Sequence, residues 1–164
     1  MILLAEWGLP AGQTPAIAQE PHPKVPLNLN LGGYVELLGY DVERNTDGKL
    51  FMTFYWKALA STPIPYSVFI HFSRGPNQPV VFHHHRWPIY DSFLTTRWRS
   101  GEVYRETYEL RLPPGVSQGN YTMGFGLFAP TLPRDHPEHP LDTHEASPDV
   151  TFVAARRDRL SRAP

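Results

Sequence analysis

The sequence predicts an all-β chain folded as an antiparallel β-sandwich, on three observations. Seven short segments are rich in β-branched and aromatic residues and bounded by turn formers, the composition that suits a pleated, half-buried surface. The stretches between them carry turn chemistry, such as Asn45-Thr46-Asp47-Gly48 and Pro113-Pro114-Gly115, where glycine supplies positive φ and proline presets φ. No segment long enough for a helix repeats its apolar residues near a period of 3.6 between recognisable caps.

Residues 1–26 show neither a strand nor a helix period and are punctuated by Pro10, Pro15, Pro21, Pro23 and Pro26. They read as an extended arm with polyproline-like stretches. Strands are expected at 34–43 (YVELLGYDVE), 49–58 (KLFMTFYWKA), 66–72 (YSVFIHF), 80–86 (VVFHHHR), 103–112 (VYRETYELRL), 120–129 (NYTMGFGLFA) and 150–155 (VTFVAA). Within the second of these, Leu50, Met52, Phe54 and Trp56 share a face and are the expected core set, because successive strand side chains point to opposite faces. The polar stretch 134–145, RDHPEHPLDTHE, reads as a loop joining the last two strands. Arg156, Arg157, Arg159 and Arg162 mark a basic tail. The expected organisation is an arm at 1–26, a sandwich domain at 27–155 and a tail at 156–164.

A chain of 164 residues suits one domain, and folding at this size removes about 68–70% of the unfolded chain's surface from water. Apolar residues are 41% of the chain and charged residues 19%, enough to fill one core and too little charge for a disordered polyelectrolyte. A net charge of −1 argues against duplex nucleic acid, whose binding relies on a basic surface that displaces counterions. The absence of cysteine excludes disulfides, thiolate metal sites and cysteine nucleophiles. No apolar run approaches the roughly 20 residues of a membrane-spanning helix. A cleavable leader is not expected: Ala16-Ile17-Ala18 has cleavage-site spacing, but Glu6, Gly8, Pro10 and Pro15 interrupt the apolar stretch and no basic region precedes it.

The run VVFHHHRWP (80–88) is where chemistry is most readily sought. Alternation puts His83 and His85 on one face and His84 on the other, so the triplet cannot converge by itself. If 66–72 and 80–86 pair as a hairpin, His71 comes near the triplet, beside His84 in one register; the register stays open. His71, His83, His84 and His85 are therefore the metal-ligand candidates. Zinc and copper sites recruit three or four donors, and no complete set is visible, so the expectation is a polar strand end with half-exposed imidazoles, without metal or other cofactor. No G-x-S-x-G, H-E-x-x-H or glycine-rich phosphate loop occurs. Glu106 and Glu109 fall on opposite strand faces and do not make a glycosidase pair. The protein is expected not to be an enzyme. Trp87, Tyr90 and Phe93, in the loop after the triplet, are candidates for a sugar-stacking platform, together with Trp7 and Trp98.

Gly39, Tyr40, Trp56, Phe69, His71, Pro88, Thr95, Trp98, Gly101, Glu102, Leu112, Pro113 and the strand GNYTMGFGLF (119–128) together resemble the immunoglobulin-like β-sandwich domains that bacteria attach to membrane glycosyltransferases or use as small accessory modules. The resemblance covers about residues 33–129. It implies an immunoglobulin-like sandwich of about seven to eight strands and an extracytoplasmic, membrane-associated location, and it implies no catalytic residue. One departure falls in the histidine run: three residues before the matching proline the family pattern carries an aspartate, where this chain has His85.

Taken together, these readings give an expected function. The protein would be a non-catalytic accessory subunit bracing neighbouring protein subunits of a larger bacterial membrane complex, of the respiratory or photosynthetic kind. The arm, through Trp7, Pro10, Pro15 and Pro21, and the tail, through Arg156, Arg157, Arg159 and Arg162, would make the contacts, with the tail able to meet anionic headgroups. Alternative readings are a carbohydrate-binding module using Trp87, Tyr90 and Phe93, and a periplasmic metal-binding protein using the histidines.

Overall fold

Alternation decides which side chains enter the core. Leu50 is 6% exposed and Met52, Phe54 and Trp56 are 0% exposed, so the face expected to turn inward does so. The computed structural model describes residues 15–75, 77–86, 88, 93–135 and 140–152. The strands are β1 (Val25–Leu31), β2 (Val35–Arg44), β3 (Leu50–Ala58), β4 (Ser67–Ser73), β5 (Val80–Arg86), β6 (Val103–Leu110), β7 (Gly119–Phe128) and β8 (Pro140–Phe152), with a short 3-10 turn at Thr95–Arg97. They form two antiparallel sheets of order β1-β2-β3-β6 and β5-β4-β7-β8.

The chain passes between sheets after β3, returns after β5 and passes again after β6. With β2, β3 and β6 in the places of strands A, B and E, and β5, β4, β7 and β8 in those of C′, C, F and G, this is immunoglobulin-like connectivity. A second hallmark accompanies it. At the start of β7 the Tyr121 hydroxyl donates to the carbonyl of Ser117, four residues upstream, the tyrosine corner that closes the crossing into strand F in such sandwiches. The Arg74 guanidinium lies 4.0 Å over the same ring.

Aromatic rings fill the space between the sheets. Phe54 meets Phe125 at 5.2 Å, Tyr40 meets Phe125 edge-on at 5.3 Å, and Trp98 meets Tyr104 at 4.8 Å. Such offset and edge-on pairs add about 0.5–1.5 kcal/mol each beyond the area they bury. Trp98 is 0% exposed, and its indole N–H donates to the Phe93 carbonyl at 3.0 Å. Thr95 knits the crossing beside it: its hydroxyl accepts from the Tyr66 amide and shares a hydrogen with Thr62. Glu106 also faces inward at 0% exposure, accepting from the Tyr108 hydroxyl.

Two expectations are corrected. The sandwich begins at Val25 rather than residue 27, because β1 pairs with β2 from Val25 opposite Tyr40 onward. A bulge between Pro26 and Leu29, with Asn28 at φ 55, lets the strand accommodate Pro26. Second, 140–145 is not loop but the start of β8, pairing from Pro140 opposite Phe128. Main-chain hydrogen bonding to β7 does not depend on apolar side chains, so a polar sequence extends the sheet.

The arm's described part, from residue 15, lies along its own domain. The Ile17 amide donates to the Val103 carbonyl at 2.8 Å, Ala16 packs against the core, and Pro15 and Pro21 are half-buried.

Candidate functional site

The β4–β5 hairpin carries Phe-Ile-His-Phe on one strand and Phe-His-His-His on the other, and alternation sorts these rings by face. Ile70 and Phe72 point inward with Phe82, whose ring stacks on Phe72 at 4.4 Å. His84 follows Phe82 to the inner side, and its Nε2 lies 3.1 Å from the Arg111 carbonyl. Phe69, His71, His83 and His85 take the outer face, joined by Phe128 from β7.

The register then fixes the neighbours. His71 stands opposite His83, and His84 stands opposite Ile70, so the approach of His71 to His84 considered from sequence does not occur. The ring centroids of His71 are 5.9 Å from His83 and 5.7 Å from His85, while His83 and His85 stack at 4.1 Å. Phe69, 6% exposed, lies 4.6 Å from His71, and Phe128 lies 5.0 Å from His85. The result is a patch of three imidazoles and two phenyl rings on one sheet face.

The electrostatics favour neutral rings at His71 and His85. Burial among the aromatics, followed by the charge of His83, holds His71 below its ordinary value of 6.5. Desolvation, then repulsion from His83, His71 and His84, pulls His85 down to about 4. His85 retains an exposed edge, where solvent screens part of that repulsion. At neutral pH these rings keep lone pairs available. As they stand, no group of three or more His, Cys, Asp or Glu side chains is placed to hold a metal ion among the described residues.

β5 is also the outer strand of its sheet. Val80 and Val81 are 50% and 45% exposed, the large apolar side chains that stand out at the surface among the described residues. Nothing from Val80 to His85 is a proline, lysine or acid, residues that often guard an edge against pairing, and the guarding irregularity in β5 is confined to Val81, between Val80 opposite Ser73 and Phe82 opposite Phe72.

The remaining sequence candidates fare differently. Phe93 is 2% exposed, packed 5.6 Å from Tyr104 with the Arg97 guanidinium 4.9 Å over its ring; it is a core residue and offers no face to a sugar. Trp7, Pro10, Trp87, Tyr90, Arg156, Arg157, Arg159 and Arg162 lie outside the described residues. Phe69, Phe128 and the exposed valines were not singled out for the site from sequence, although Phe69 shares the parity of His71. No helix among the described residues is long and apolar enough to cross a membrane. Comparison with protein-family models and with curated proteins gives no match.

Proposed function

We propose that the protein is a non-catalytic accessory domain that docks onto another protein of a larger assembly through the outer edge of β5. The observation that carries this reading is the edge itself: a seven-residue outer strand with Val80 and Val81 exposed and no guarding proline, lysine or acid from Val80 to His85. An extended segment added there gains main-chain hydrogen bonds along the strand, and Val81 beside the aromatic patch supplies side-chain specificity. The arm and the basic tail would extend the same contact. In the wider form of the reading the assembly is bacterial and membrane-associated on its extracytoplasmic side, with the tail arginines near acidic protein or anionic headgroups. The likeness of residues 33–129 to accessory sandwich domains supports that form.

The test is recovery of the protein from its native source in mild detergent, with identification of what co-elutes, followed by the same experiment on Val81→Lys. Co-elution with other subunits that Val81→Lys abolishes, with the variant still folded by circular dichroism, is the expected result. A lone 18.7 kDa monomer, or association untouched by the lysine, contradicts the reading.

A further inference from the structure

Three imidazoles on adjacent antiparallel strands form a chelating frame. His83 and His85 stand two apart on β5, which sends both rings to one face, and His71 comes from β4 directly opposite His83. An i, i+2 pair completed by a cross-strand third residue places three donors at the corners of a triangle on a rigid sheet.

The distances suit a small ion. With metal–nitrogen bonds of about 2.0–2.1 Å and a tetrahedral spread, three coordinated imidazoles place their ring centroids roughly 5 Å apart. Two of the three separations, 5.9 and 5.7 Å, exceed that spacing by less than an ångström. The third, 4.1 Å between His83 and His85, is short because the two rings stack at 21°, and this stacking keeps the three from pointing at one centre. Opening it takes about an ångström of ring movement. Both rings are exposed, and among the described residues none of the three imidazoles is held by a hydrogen bond, unlike His84. Phe69 and Phe128 wall the patch with apolar surface, which strengthens coordination by keeping competing water off one side.

We propose that the outer face of β4 and β5 binds one divalent transition metal ion of imidazole preference, copper(II), nickel(II) or zinc(II), through His71, His83 and His85. Three neutral nitrogen donors without a carboxylate or thiolate favour these ions over calcium or magnesium, and the fourth position stays open to water or to a donor from a partner. The site is independent of strand docking, since coordination uses the face of β5 and docking uses its edge.

The experiment is titration of full-length protein, produced without a histidine tag and stripped with chelator, with copper(II) and zinc(II) by calorimetry and with cobalt(II) by visible spectroscopy. One ion per chain is expected, with affinity falling roughly tenfold or more in His71→Gln and in His83→Gln and unchanged in His84→Gln. The wild-type protein provides a check that needs no variant: zinc(II) shifts the ring nitrogen resonances of His71, His83 and His85 together and leaves those of His84 in place. Absence of saturable binding, binding retained by the folded His71→Gln/His83→Gln double variant, or zinc shifts centred on His84 or on histidines outside this face would each overturn the proposal. Wild-type protein that binds the metal but co-elutes with no partner, or whose co-elution survives Val81→Lys, would count against the docking reading alone.

Discussion

Gly39 lies so close to Val25 that a β-carbon on it would sit 2.3 Å from the Val25 carbonyl oxygen and 2.7 Å from Cγ of Pro23. Glycine is required here for close approach, not for positive φ. It lets the incoming chain fold against β2 beside the bulge between Leu37 and Gly39. Gly39→Ala should therefore destabilise the domain by about 1–3 kcal/mol, the usual cost of forced overpacking, and should loosen residues 15–31 first. Denaturant unfolding together with amide exchange in β1 checks this; a fully stable variant with unchanged β1 protection would refute it.

Tyr121 and Ser117 make the second local prediction. Tyr121→Phe keeps the buried ring and the contact with Arg74 but leaves the Ser117 carbonyl without the hydroxyl donor. The expected loss is about 0.5–1.5 kcal/mol, the net value of one hydrogen bond. Chemical denaturation with an unchanged m-value would register it.

Phe93 separates a core role from a sugar-binding one. Phe93→Ala should lower stability by about 3–5 kcal/mol, as expected for truncating a buried aromatic. Thermal unfolding of the variant measures this. A variant as stable as the parent would put Phe93 at the surface, against the packing on Tyr104 and Arg97.

Tyr55 predicts an alkaline dependence. Burial, with the hydrogen bond to and charge of Asp41, pushes its phenol up to about 12, and the hydroxyl donates to Asp41 at 2.8 Å. The folded value exceeds the ordinary 10, so the fold favours the protonated phenol. This contribution is complete below pH 10 and is lost as pH rises through about 12. Tyr55→Phe should show a shallower loss of stability than the parent across that window; identical slopes would contradict the assignment.

The parts of the fold that were legible in the sequence are those governed by strict alternation. β3 carries large apolar residues at every second position, and a shift of one residue would expose them all, so pattern alone picked out its inner face; β7 buries Tyr121, Met123, Phe125 and Leu127 by the same alternation. β1 was hidden because Pro26, Asn28 and Asn30 dilute its composition and the bulge breaks its period. β8 was hidden because the main chain of β7, not apolar side chains, holds its polar first half. The outer-face patch was half legible. Parity separates His83 and His85 from His84, but the partner of His71 depends on register, which the irregularity between Phe72 and Ser73 helps set. The burial of Glu106 follows its parity with Tyr104 and Tyr108 but runs against its residue type, since acids seldom occupy a core position.

The most direct test of the docking account is hydrogen exchange at the β5 amides that do not pair with β4, measured in the isolated protein and in the assembly recovered from its native source. The account predicts fast exchange of these amides in isolation and strong protection in the assembly. Equal exchange in both states would contradict it.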